Sequence, residues 1–354
     1  VRNISVSLPA SPPRPRGAWG VADQERRVAA AAKHHHSLNA AMSHNFDFTV
    51  VTEPKGEAAA RVYVLAVPSE PIPHDELAAY RISGQIVGPS CRYSSTLPAT
   101  IPLKHRGLTP WGDRMAVAAE TILPDPCYWS PDLPFLYRAV GELTPGPRTS
   151  PSASESSALA IAFNEPFGTR SLSVVRRRIM LNGKTWVPRI AHQRGIVEGV
   201  PLLEWRQADM TLFTHRPDEA LLREADEAGV WIVAEIADTG PTALTEIMRL
   251  NRHPSVAAAV FATPEPLSEA YRAAAPNLLL ARTGDDGPGD MVDAAHLLLA
   301  TASSAGQASV RTSTRPILAA QPLTEPTTPR LAREACDRLQ ADLAGKYDAA
   351  GYIV

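Results

Sequence analysis

Two unlike halves are written into this chain of 354 residues: an antiparallel β-sandwich and, after it, a compact (β/α)8 barrel, a multidomain β then α/β arrangement. Three observations point there. From residue 46 to 183, short apolar runs alternate with polar residues at period two between Pro, Gly and Ser, as in half-buried antiparallel strands. From 184 to 354, unbroken apolar runs alternate with amphipathic stretches, the texture of parallel β/α units. The 33 prolines and a 6% aromatic content favour many turns between short elements over long coiled coils.

Taken in order, residues 1–45 mix PASPPRPRG, a run of alanines and His34–His35–His36, a composition that buries little apolar area and predicts an irregular arm or a remnant of an upstream domain. Three adjacent histidines in such a segment have no fixed geometry for a metal. The sandwich, 46–183, is expected to use eight strands: FDFTVV, ARVYVLAV, YRISGQIVG, STLPATIPL, RMAVAAETIL, FLYRAVGEL, ALAIAF and SLSVVRRRIML. SPSASESS (150–157) reads as a loose connection. The barrel, 184–354, is expected to place its strands at 186–192, 210–215, 230–236, 256–262, 277–282, 295–301, 315–321 and 350–354. Helices should fill 218–229, 241–252, 266–275 and 327–347, started by Asp218, Pro241 and Thr327–Thr328 and stopped by Gly229 and Gly345. About 170 residues is short for a barrel that usually takes ~200–250. The helices around strands 5 and 6 should therefore be short or missing, since GDDGPGDMVDA leaves little room.

Charge and composition narrow the function. With 35 Lys+Arg against 37 Asp+Glu the net charge is −2, so no global basic field exists to hold nucleic acid or an anionic membrane. No apolar run reaches the ~18 residues that crossing a bilayer takes. The opening lacks a basic end followed by an apolar run, so a signal peptide is expected to be absent or already removed, and the compartment stays open. Cys91, Cys127 and Cys336 are odd in number and widely spaced, the pattern of free buried thiols rather than a disulfide framework or zinc site. Gly-x-Ser-x-Gly, Gly-x-x-x-x-Gly-Lys and Gly-x-Gly-x-x-Gly are all missing, which sets aside acyl transfer, NTPase and Rossmann chemistry.

A (β/α)8 barrel works at the C-terminal ends of its strands. The polar residues there are His192, His215, Glu235, Asp238, Glu265, Asp285, Asp286, Ser303, Ser304, Gln321 and Glu325. Glu265 and Glu235 could supply the carboxylate pair of a glycosidase, although Glu265 also suits the start of the helix after it and Asp238 the DTGP turn. His192, His215 and Glu235 allow a metal-site alternative without any His-x-His or His-Glu-x-x-His spacing to support it. Trp205, Trp231 and Phe213 are the nearest aromatic platforms for a sugar, Trp231 lying inside a strand and so suiting core.

Several phrases in sequence order resemble the family 2 glycoside hydrolases, the β-galactosidase, β-glucuronidase and β-mannosidase group. They are YWSPDLPFLY (128–137), FGTR (167–170) followed by IMLNGKTWVPRIAHQRG, ADMTLFTHRP with LLREADEAGVWIVAE, and NRHPSV (251–256). The resemblance implies an immunoglobulin-like β-sandwich followed by a TIM barrel, no cofactor and a carbohydrate ligand or substrate. It also implies an Asn and an Arg on strand 2 where Asp209 and Leu212 stand, an acid/base Glu nearest Glu265, and a nucleophilic Glu where Gln321 stands. A glutamine cannot form a glycosyl ester and gives little help to an oxocarbenium-like transition state. The expectation is therefore a carbohydrate-related relative with a non-functional retaining site, binding glycans or acting as a scaffold, with His192, His215, Glu235, Asp238 and Glu325 around the ligand. The alternatives are an active β-glycosidase with Glu265 as acid/base and a nucleophile among Glu235, Asp238 and Glu325, and a metal-dependent barrel hydrolase. The family commonly carries a sugar-binding jelly roll before the sandwich. This chain opens too late to hold both in full, and its start at Val1 leads us to expect a fragment.

Overall fold

The computed structural model describes residues 45–56, 58–146, 159–192, 199–284, 293–304, 313–323 and 327–354. The strands β1 (Phe46–Pro54), β2 (Ala59–Pro68), β3 (Arg81–Ser90), β4 (Ala99–Pro102), β5 (Lys104–Trp111), β6 (Arg114–Pro124), β7 (Leu136–Thr144) and β8 (Ile161–Phe167) form two antiparallel sheets. One has the order β1-β2-β6-β5 and the other β4-β3-β7-β8. Their alternating residues meet face to face, with Phe48, Val62, Val64, Val117 and Ala119 against Ile82, Ile86, Ala139, Leu143 and Phe163. Phe48 and Phe163 stack across the gap at 4.8 Å. A short helix, α1 (His74–Ala79), buries Leu77 into the same core.

The eight-strand expectation differs from the structure in one member. KHRGLTPW, unmarked as a strand by its polar composition, is edge strand β5, paired to β6 with a register shift between His105 and Gly107. The run SLSVVRRRIML instead turns at Arg176, where φ is 57°, and splits into β9 (Leu172–Val175) and β10 (Arg178–Leu181). With β11 (Lys184–Trp186) they make a separate three-stranded sheet. Three consecutive arginines interrupt the period-two pattern there, and the turn exposes Arg176 and Arg178 while the Arg177 guanidinium lies over the Tyr347 ring at 5.1 Å. SPSASESS lies outside the described residues, as does the His34–His36 arm.

Eight parallel strands close the second half: β12 (Arg189–His192), β13 (Thr211–His215), β14 (Ile232–Ile236), β15 (Val256–Phe261), β16 (Leu279–Thr283), β17 (Leu297–Thr301), β18 (Ile317–Ala320) and β19 (Gly351–Ile353). Each matches one of the expected runs. Phe213, Val233, Val260, Leu279, Leu297, Leu318 and Ile353 fill the interior. Their neighbours in sequence, such as Leu212, Ile232, Phe261, Leu280 and Leu298, face outward onto the helices. Those helices are α2 (Leu202–Gln207), α3 (Glu219–Ala228), α4 (Pro241–Leu250), α5 (Glu269–Ala274) and α6 (Pro329–Leu343). Asp218 caps α3 by accepting from the Leu221 N–H at 2.7 Å, and Gly229 ends it in the left-handed region at φ 75°. Helix α2, one and a half turns between Pro201 and Asp209, was not expected. It buries Trp205 to 1% exposure in the outer layer, so Trp205 is core and no sugar platform.

The connection between β16 and β17, expected to hold a short helix or none, lies largely outside the described residues. A buried carboxylate ties its described ends together. Asp293 accepts from Arg282 Nε at 2.8 Å and Arg315 Nη1 at 2.6 Å through one oxygen, and from the Leu267 and Ala295 N–H groups through the other. Burial opposes its ionisation, but the Ala295 and Leu267 N–H groups and the two guanidiniums outweigh burial and hold the carboxyl at about 2.

At the N-terminal end of the barrel the three-stranded sheet and the sandwich dock together. Ile179 of β10 packs among the inward-facing barrel residues, and Trp129, Trp186 and Trp231 meet at ring separations of 4.5 Å and 5.0 Å. Arg170, buried to 3% exposure, donates to the carbonyls of His253 at 2.9 Å, Pro254 and Asn277 at 2.8 Å. Gly168 has no room for a side chain, since a Cβ there would lie 2.7 Å from the Pro254 ring. His253 Nδ1 and Ser255 in turn bind the two oxygens of buried Asp226, whose main-chain carbonyl accepts from the Trp129 indole at 2.9 Å. YWSP, FGTR and NRHPSV thus meet at one seam.

Candidate functional site at the barrel mouth

Strand ends supply the opposite face. Because side chains alternate, the last inward position on each strand falls at the C-terminal mouth, where a cavity of about 520 Å³ opens. Phe213, Val260, Leu299 and Ile353 give it an apolar floor, and His192, Glu235, Thr283, Thr301 and Ser304 are its polar lining. His192 ends β12 and stands edge-on to Phe213 at 4.8 Å. His215 ends β13 and brings Nδ1 to 3.2 Å from Glu235 Oε2. Thr301 Oγ1 lies 3.1 Å from Ser303 Oγ and 2.9 Å from Ser304 Oγ, a hydroxyl cluster at the end of β17.

The remaining candidates fall elsewhere. Glu265 is exposed in the loop after β15, its N–H donating to Thr263 Oγ1 at 3.1 Å, and it is not among the lining residues. The lining position at the end of β15 is Ala262. Asp238 is exposed beyond β14 and also outside the lining. Gln321 stands at the mouth between two lining residues, Ala320 and Pro322, with its N–H on the Ile353 carbonyl at 2.8 Å. Glu325, Asp285 and Asp286 lie outside the described residues. Trp231 belongs to the seam, and Phe213 is the one proposed platform that lines the cavity. Among the described residues no group of three or more His, Cys, Asp or Glu side chains could hold a metal ion, which leaves the His192, His215 and Glu235 set without a coordination geometry.

Strand 2 corrects the expectation drawn from the resemblance. Leu212 faces outward into the helix layer and Asp209 precedes the strand, paired with Arg333 at 3.1 Å, so neither is at the mouth. Phe213 holds the inward position. Thr283 and Thr301 lie within their strands and so are not among the polar residues just past the strand ends, whereas period-two counting from Leu279 and Leu297 leads to them directly.

No family model matches the sequence, and no curated protein matches it either. Solved structures do. A Parabacteroides merdae β-glucuronidase superposes with a TM-score of 0.56 at 13% identity, over 88% of this chain and 47% of that one. A putative β-galactosidase from Bacteroides fragilis gives 0.54 at 14% over 86% and 54%, and the Dictyoglomus thermophilum β-D-glucuronidase 0.51 at 13% over 87% and 61%. The chain has the fold of the family 2 glycoside hydrolases. It spans about half the length of the first two structures. Of the residues that resemble the family 2 glycoside hydrolases, those of the WSP, FGTR and NRHPSV phrases work at the seam, at the end of the barrel away from the cavity.

Proposed function

We propose that this chain is a carbohydrate-related protein on a family 2 glycoside hydrolase fold whose mouth binds a glycan, or serves as a scaffold, without running the retaining mechanism. One observation carries it: among the described residues lining the mouth cavity, Glu235 is the sole carboxylate. Double displacement takes two carboxyl groups about 5–5.5 Å apart, one to protonate the leaving oxygen and one to attack. Here the β15 end contributes Ala262, and β18 ends in Ala320 followed by Gln321. In that setting Glu235 and His215 orient a bound sugar, His192 and Phe213 give it a face to lie on, and Gln321 reaches it from the rim. We read the sandwich as immunoglobulin-like, with β1-β2-β6-β5 and β4-β3-β7-β8 as A-B-E-D and C′-C-F-G. Tyr137, at the start of β7, supports this by accepting the Cys127 N–H on its hydroxyl at 2.8 Å, as a tyrosine corner does. On this reading the domain boundary falls near residue 184, with the β9–β11 sheet as the connection.

The test is covalent. Cyclophellitol-6-carboxylate aziridine is covalently bound in a solved structure of Bacteroides uniformis β-glucuronidase 2. Incubated with a panel of cyclophellitol aziridines differing in sugar configuration, this protein is expected to show its unmodified mass, and to leave aryl β-glycosides uncleaved. A stoichiometric adduct mapped to Glu235, Asp238, Glu265 or Glu325 would replace the binding reading with the active one.

A further inference from the structure

Among the described residues that line the cavity, Glu235 is the one carboxylate and His192 the one imidazole, and there is no lysine or arginine. Its Oε2 faces His215, and its side chain keeps 21% exposure, so the carboxylate is presented to the cavity with its second oxygen unpartnered among the described residues. The hydroxyls of Thr283, Thr301 and Ser304 lie along the strand ends of β16 and β17, and Phe213 closes the floor.

From this we infer that the mouth takes an amine-bearing, pyranose-sized ligand and disfavours a carboxylated one, a specificity that rests on the glycan-binding function proposed above. An ammonium brings three donors and the opposite charge to Glu235, and such charge-assisted bonds are roughly twice as strong as neutral ones. A carboxylate would meet a like charge, with no lysine or arginine among the described lining residues to receive it, and the apolar floor lowers the local dielectric, which sharpens the discrimination. Hydroxyls on the Thr283, Thr301 and Ser304 side accept or donate as the ligand requires, so they hold a polyol without selecting its charge.

Isothermal titration of the full chain with glucosamine, glucose, glucuronate and cyclohexylamine decides it. Glucosamine is expected to bind at least about tenfold tighter than glucuronate, with glucose between them. Glu235→Gln should bring the glucosamine-to-glucuronate ratio close to one, while Thr301→Val weakens all three sugars and leaves the ratio in place. Equal or tighter binding of glucuronate, or a ratio that survives Glu235→Gln, overturns the inference, as does silence from both amines. Sugars that bind without charge preference remove this specificity and leave glycan binding standing. Cyclohexylamine binding that depends on Glu235, with no sugar bound, would do the reverse.

Discussion

His296 is a titratable residue whose protonation the fold opposes. Its Nδ1 accepts the Leu280 N–H at 3.0 Å beside β16, a bond that only the neutral imidazole can make. Burial, reinforced by Arg272 and Arg315, pushes the group down from 6.5 to about 4. In the unfolded chain the ring takes up its proton near 6.5, so between the two values the unfolded state binds more protons. Stability is therefore complete above about pH 6.5 and drains away toward pH 4, by on the order of 2–3 kcal/mol from this one ring. Urea midpoints across that range should fall for the native chain and stay nearly level for His296→Gln. Parallel curves for the two proteins would mean that other groups set the acid response.

At the scale of elements, the Asp293 hub ties β16 to the segments that lead into β17 and β18. Asn at 293 would keep the shape but strip the charge that holds Arg282, whose side chain is 2% exposed. Breaking one partner of a buried ion pair costs about 3–5 kcal/mol, because the other charge is left stranded. Asp293→Asn is expected to lose that much in denaturant unfolding, and Asp293→Asn with Arg282→Met to recover part of it. A cost under about 1 kcal/mol for the single variant would show that solvent reaches the arginine after all. The composition did not foretell the hub, since an Asp in a Gly- and Asp-rich stretch reads as turn chemistry until Arg282 and Arg315 are seen around it.

For the whole molecule, the seam makes sandwich and barrel one body. Arg170 leaves the end of the sandwich and ties down carbonyls on both sides of β15's approach, with its guanidinium 5.7 Å from the centre of the Trp231 ring. Replacing it by Met leaves those carbonyls unpaired at about 1–3 kcal/mol each. Scanning calorimetry of Arg170→Met should show two separated transitions where the native chain gives one. One sharp transition at the native temperature would make the seam incidental. The residues that resemble the family 2 glycoside hydrolases fill this tryptophan-lined, hydrogen-bonded joint, and close packing of that kind tolerates little substitution.

Period and punctuation alone settled the eight barrel strands and most of the sandwich strands, because apolar spacing reports directly which face of a strand is buried. Which side chains look into the cavity was decided by the closed barrel: a shift of one residue turns Leu212 outward and Phe213 inward, and the end of β15 puts Ala262 in the lining while Glu265, three residues on, stays out of it. Spacing along a chain gives a residue's face only once the strand's register is known, and the register is set by neighbours far apart in sequence, as where Arg189 of β12 pairs with Tyr352 of β19.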